Sequence, residues 1–318
     1  MRNIPTTTQW VPVDLGEVEV RGVEWGHEYA LAYGYRRPAS DMVPFAARVS
    51  DEGDVVVFDL PAHGRIASLY HAGMGHVVCL GEFPATLYHL PGHSSTPELL
   101  EVDEPFLAGT RTWMAGADGH DFYVTQWEDD RLTTGEAWHE DYLEGPGLRV
   151  NGDPEELLVG SSDVVTLVAG LLSSGDEPPA VGLWTNAPDE GPRWPGGWTR
   201  FELDPAPDGF TQIRSSVAPS VAGHRDGRPL LFTHESAVEV RLLDVPDVPL
   251  DPAHPQVLDT AYGIAVQSLY EGPQLWTKTD LGWRPHPLPS GRLDAASVCT
   301  TSDLVWLVVD GRLWRPLE

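Results

Sequence analysis

Histidine is the side chain whose placement in this chain most suggests chemistry. Of its 12 histidines, eight lie between His27 and His139. Imidazole titrates near neutrality and ligates metals, so several imidazoles converging on one face would make a metal site. His71 and His76 flank one short turn, His89 and His93 flank a second, and His120 sits between Asp118 and Asp121 at a third. If these segments are strands of neighbouring meanders, the turns share one end, and the five imidazoles become candidate ligands for a divalent metal. The plainer role for each is turn capping or strand-edge packing, and that is the expectation. No other cofactor is indicated.

Two further groupings carry candidate residues. His139-Glu140-Asp141, between Trp138 and Tyr142, joins an imidazole to two carboxylates beside aromatic surface, as acid–base catalysis requires. Arg193, Trp194 and Trp198 lie in a Pro/Gly-rich stretch, with Trp184 and Arg200 nearby. Tryptophan and arginine are the residues most enriched at binding hot spots, so Trp194, Trp198 and Arg193 are the candidate ligand-binding set. Nucleophile motifs are missing: there is no Gly-x-Ser-x-Gly, Cys-x-x-Cys, His-Glu-x-x-His or glycine-rich phosphate loop.

Charge narrows the partners. Forty-eight acidic residues against 20 basic ones give a formal net charge of −28, which repels nucleic acid and anionic membranes. A protein or small-molecule partner is expected instead, with the chain itself a monomer. Lys278 is the only lysine, so the other basic residues are arginines, a bias typical of GC-rich bacterial coding. Cys79 and Cys299 lie far apart in apolar runs and read as buried thiols, not as a disulfide framework. No stretch has the length of a signal-peptide core or a membrane span, so a cytoplasmic location is expected.

The elements that must position these residues are strands. Apolar runs are short and bounded by Gly, Pro, Asp or Ser, and helical periodicity is nearly absent. Gly-His recurs at Gly26-His27, Gly75-His76, Gly119-His120 and Gly223-His224, at intervals of 49, 44 and 104 residues, the last being twice 52. A period of roughly 40–50 residues marks a repeat architecture, and with short strands it marks a β-propeller. The chain is therefore expected to be all-β, one propeller over residues 1–318, with seven blades favoured and six or eight left open. Innermost strands are expected at residues 18–25, 66–71, 107–115, 164–172, 217–222, 261–268 and 295–300. Residues 10–15 form a strand with no blade of their own, and pairing with residues 313–317 would close the ring and remove two exposed edges. Residues 143–215 break the spacing and should hold a long loop.

Asp189-Glu190-Gly191-Pro192-Arg193-Trp194 resembles a degenerate Asp-box of sialidase-type propellers, with Ala187 where serine is expected. Asp280-Leu281-Gly282-Trp283 and Asp310-Gly311-Arg312-Leu313-Trp314 are shorter echoes. Asp-boxes are structural hairpins, so the resemblance implies a propeller and no catalysis. Tyr35-Arg36-Arg37-Pro38 is similar to the sialidase segment that supplies an arginine to a substrate carboxylate, a role that would fall to Arg36; its third residue departs from the aliphatic of that pattern. The expected function is a rigid scaffold that binds a protein or small ligand on one loop face. The alternative is a hydrolase or lyase working in the axial channel on a sugar-like or secondary-metabolite substrate.

Overall fold

The structure is a computed structural model. It describes residues 9–25, 29–36, 43–61, 64, 66–72, 75–80, 86–99, 111–118, 121–128, 131–136, 148–150, 158–162, 165–173, 180–186, 199–214, 219–236, 239–260, 263–298 and 304–317. Among them every regular element is a strand, β1 to β28 in chain order, and all pairings between strands are antiparallel. Five sheets have four strands, and the eight-stranded sixth, β10 to β17, is continuous because β13 also pairs with β15. The fold is a β-propeller.

The innermost strands are β2 (Val18–Trp25), β6 (Ile66–Ala72), β10 (Arg111–Asp118), β14 (Leu158–Ser162), β18 (Gly209–Arg214), β22 (Val257–Asp259) and β26 (Leu293–Val298). They pack side by side in that order, and β26 packs against β2. Each innermost strand turns back into the second strand of its sheet. In five of these pairs, including β2 with β3 (Tyr29–Arg36) and β18 with β19 (Ser220–Arg225), a register shift interrupts the ladder. Such bulges bend a strand and re-aim its side chains.

Between neighbouring sheets lie apolar clusters. Val20, Val23, Ala30 and Ala32 of the first sheet meet Trp306, Val308 and Leu313 of the last. Leu258, Ala265 and Leu275 meet Leu293, Val305 and Leu307 in the same way. A sheet covered on both faces cannot alternate apolar with polar residues, so its inner strands read as continuous apolar runs. β27 (Val305–Val309) is buried at every position.

β1 (Trp10–Pro12) lies along β28 (Arg312–Pro316), with Trp10 opposite Pro316 and Pro12 opposite Trp314, and completes the sheet β26-β27-β28. The expected pairing is present over a shorter strand. Beyond β1 the Val13 N–H still donates to the Leu313 carbonyl at 2.9 Å, and Val13 and Leu15 pack on the cluster between the first and last sheets.

The sequence assigned the innermost strand correctly in the first two sheets and the last, and displaced the third. In the middle of the chain it named the second strand instead: 164–172, 217–222 and 261–268 fall on β15 (Val165–Ser173), β19 and β23 (Gly263–Ser268). The physical reason is polarity. β18 reads GFTQIR and β22 only VLD, so the apolar pattern pointed to the fully covered strand beside each.

The Gly-His pairs are likewise not equivalent. Gly75-His76 opens β7 (Gly75–Leu80), whereas His224 lies at the far end of β19, and a further pair, Gly92-His93, falls outside the period. Gly26-His27 and Gly119-His120 lie outside the described residues. The turns that do correspond are Asp226-Gly227 and Asp310-Gly311. Both have two successive positive φ angles (50° and 67°; 49° and 68°), the geometry of a tight two-residue hairpin. An aspartate near the start of the innermost strand caps each: Asp208 accepts the Asp226 N–H at 2.7 Å, and Asp294 accepts the Gly311 N–H at 2.9 Å. Of the Asp-box echoes, Asp310-Gly311 joins second and third strands while Asp280-Leu281 joins third and fourth, so they too are not equivalent.

Removing residues 1–15 strips β28 of its partner and uncovers apolar surface. The truncated chain is expected to aggregate or to melt well below the full chain, as gel filtration and a thermal melt will read.

Candidate functional site

Three charged residues end or nearly end innermost strands at the same end of the propeller: Glu24 in β2, Arg214 in β18 and Asp259 in β22. Asp259 is only 5% exposed. Arg214 Nε donates to its Oδ2 at 2.7 Å, and the Ser220 hydroxyl donates to the same oxygen. Gln212 braces the group, its Oε1 accepting the Asp259 backbone N–H at 2.7 Å while its Nε2 donates to the Ala296 carbonyl at 3.4 Å. One glutamine thereby ties β18 to β22 and β26.

Glu24 belongs to a sheet that does not adjoin that of Arg214, yet the guanidinium charge still favours its ionised form. Burial pushes the Glu24 carboxyl up to about 8, and Arg214 offsets only part of that rise. Glu24 is thus protonated at neutral pH, the condition for a carboxyl that donates a hydrogen bond or a proton. Beside it, burial raises the Tyr33 phenol, and Glu24 and Tyr35 add to the rise. The Tyr33 ring occupies the space left by Gly22, where a Cβ would stand 2.3 Å from the ring.

Sequence reasoning missed this group. A signal was present in a charge that directly follows an apolar residue near a strand end, as in Val23-Glu24, Ile213-Arg214 and Leu258-Asp259.

Three of the five candidate histidines have described side chains. His76 is fully buried, with Nδ1 3.3 Å from the Tyr29 hydroxyl of the neighbouring sheet. His89 Nδ1 lies 3.2 Å from Glu98 Oε2, and His93 is exposed in the following turn. His71 stands opposite His76 in the ladder, though its side chain lies outside the described residues, as does His120. Among the described residues, no three His, Cys, Asp or Glu side chains gather as a metal would need.

Arg36 ends β3 at the opposite end of the sheet from Glu24, exposed, with its guanidinium carbon 5.8 Å from the Phe45 ring centre. His139, Glu140, Asp141, Arg193, Trp194 and Trp198 lie outside the described residues. A concavity of about 760 Å³ runs between residues 12–20 and Gly311–Leu313, away from Glu24, Arg214 and Asp259. Asp14, Glu17 and Arg312 stand exposed along it, a solvated surface with no pair like Glu24 and Arg214.

No family model and no curated protein sequence matches the chain. Solved structures similar to it include virginiamycin B lyase from Staphylococcus aureus, with a TM-score of 0.60 and 9% identity over 98% of this chain and 99% of that one. The RRP9 WD40 repeats give 0.58 and 12% over 98% and 100%. YCF48 bound to D1 peptide gives 0.55 and 8% over 98% and 97%. At such identities the likeness is one of fold, the β-propeller. No helix among the described residues is long and apolar enough to cross a membrane.

Because folding raises the Glu24 pKa from 4.5 to about 8, the folded state takes up a proton that the unfolded state releases in that interval. Stability falls through that window, by at most about 1.4 kcal/mol per pH unit, and is flat above it. Glu24→Gln removes the linkage. Its melting temperature relative to the native protein should climb from acid to mildly alkaline pH and then level off.

Proposed function

We propose that this chain is a rigid β-propeller that binds a small polar ligand on its axis, at the end where Glu24, Arg214 and Asp259 converge. The observation that carries the reading is their origin on the innermost strands of three separate sheets. A charge placed there serves no surface solubility, and two of the three lack a full set of hydrogen-bond partners among the described residues. Rigid strands hold such a constellation more precisely than loops do. The solved structures of similar fold include both a lyase and a peptide-bound protein, so the fold itself accommodates small and large partners. A chain of charge −28 with two isolated cysteines suits a cytoplasmic setting, where we place it as a monomer.

One observation favours enzymatic use of the same position. A carboxyl that titrates near neutrality is matched to general-acid catalysis, and Glu24 would protonate a leaving group while Arg214 steadies developing negative charge, as a lyase or hydrolase requires.

The stretch with Arg193, Trp194 and Trp198 is the competing location. Crystals soaked with a library of small polar fragments separate the two. Fragments are expected against Glu24 and Arg214, unaffected by Trp194→Ala with Trp198→Ala. Fragments confined to the tryptophan loop, and lost in that double variant, would overturn the axial reading.

A further inference from the structure

We infer that His286 makes the docking of the closing strand β1 sensitive to acid: a proton gained by its imidazole favours the state in which Trp10 has left the neighbouring sheet. That sheet ends in the hairpin of β24 (Gly272–Thr279) and β25 (Gly282–Pro287). β25 is its outermost strand, as β1 is that of the last sheet. The Trp10 indole N–H joins the two, donating to the Pro287 carbonyl at 3.2 Å. Trp10, Trp314 and Leu288 also pack on the apolar cluster between these sheets.

His286 directly precedes Pro287 and is the one buried position of β25, 3% exposed. It stands opposite Leu275, a member of the same cluster, so the imidazole shares the face turned toward the last sheet. Its Nε2 lies 2.9 Å from the Thr277 hydroxyl. A neutral ring fits there in either tautomer, whereas an imidazolium would carry its charge into an apolar interface. By alternation, the charged residues on that face of β24, β25 and β28 are Arg284 and Arg312, both cations. β1 and β27 carry no charged residue. Asp294 and Asp310 accept the Gly311 and Arg292 amides, and Asp280 stands exposed in the turn beyond Thr279. Burial, with Arg284 adding to it, accordingly holds His286 below its ordinary value of 6.5.

Opening of β1 reverses this. With Trp10 and its strand gone, the outermost part of the interface is left to water, and His286 regains its ordinary proton affinity. Just below pH 6.5 the open state therefore binds more protons than the closed one. Acid shifts the balance toward opening, by at most about tenfold per pH unit for one proton. Above that range the linkage vanishes and the ring is held closed.

Amide exchange of the full chain, read by mass spectrometry on fragments spanning β1, measures the opening. Rates are taken one pH unit below and one above 6.5, each divided by the rate of the unstructured chain at that pH. Fragments from residues 209–242 serve as the reference. They contain His224 and His234, which burial also holds below the ordinary range, so they report any general loss of stability in acid. β1 should open several-fold more at the lower pH, up to about tenfold, and its rise should exceed that of the reference. His286→Gln, which keeps a hydrogen-bonding group for Thr277 but cannot titrate, should open equally at both. Arg284→Glu, an exposed change that sets a carboxylate on the face of the imidazole, should shrink the rise; it decides the matter if His286→Gln fails to fold. Equal opening of native β1 at the two pH values, or a rise shared equally by residues 209–242, overturns the inference. So does a rise that persists undiminished in either variant.

Discussion

Among the described residues, apolar clusters fill the space between neighbouring sheets, and that constraint dictates what an inner strand can carry. A second strand sits between two apolar layers, so it must be apolar on both sides, as β27 is. An innermost strand faces its neighbours on two sides and the axis on a third. Only toward the axis can it place a polar group, and a polar group there is partly cut off from water. Arg214, Asp259 and Glu24 all lie on such strands. Their cost is contained by mutual pairing in the case of Arg214 and Asp259, and by retention of a proton in the case of Glu24.

The same constraint explains how much the sequence disclosed. The all-β class and the sheet-by-sheet succession were legible because covered strands write themselves as short unbroken apolar runs between Gly, Pro and Asp. The partnership of residue 10 with the last sheet was legible because a strand without a sheet must find an edge. The innermost strands of the middle sheets were not legible, since GFTQIR and VLD look like the ends of loops once their polar residues are counted. Arg214 and Asp259 sit on those very strands, so they vanished with them. Histidine, by contrast, drew attention by type. His76 turns out to spend its ring on Tyr29 across a sheet boundary, a packing duty that spacing does not distinguish from ligation.

Overall charge and local charge pull in opposite directions here. The chain as a whole is strongly anionic, with a net charge of −28. The axial group is balanced at neutral pH, one guanidinium against one carboxylate with a neutral acid opposite. An anion approaching the molecule is repelled at long range, and rising ionic strength screens that repulsion.

The short ladder between β1 and β28 has a mechanical meaning. Trp10 stands opposite Pro316, and the Leu317 N–H donates to the Gln9 carbonyl at 2.7 Å, so β1 begins and β28 finishes at the same end of that ladder. A force pulling the termini apart would load its hydrogen bonds one after another, as a zipper opens, and not all at once in shear. The first event under tension is then the peeling of β1, which takes Val13 and Leu15 off the cluster between the first and last sheets. Tethered by its two ends, this molecule yields at the seam first.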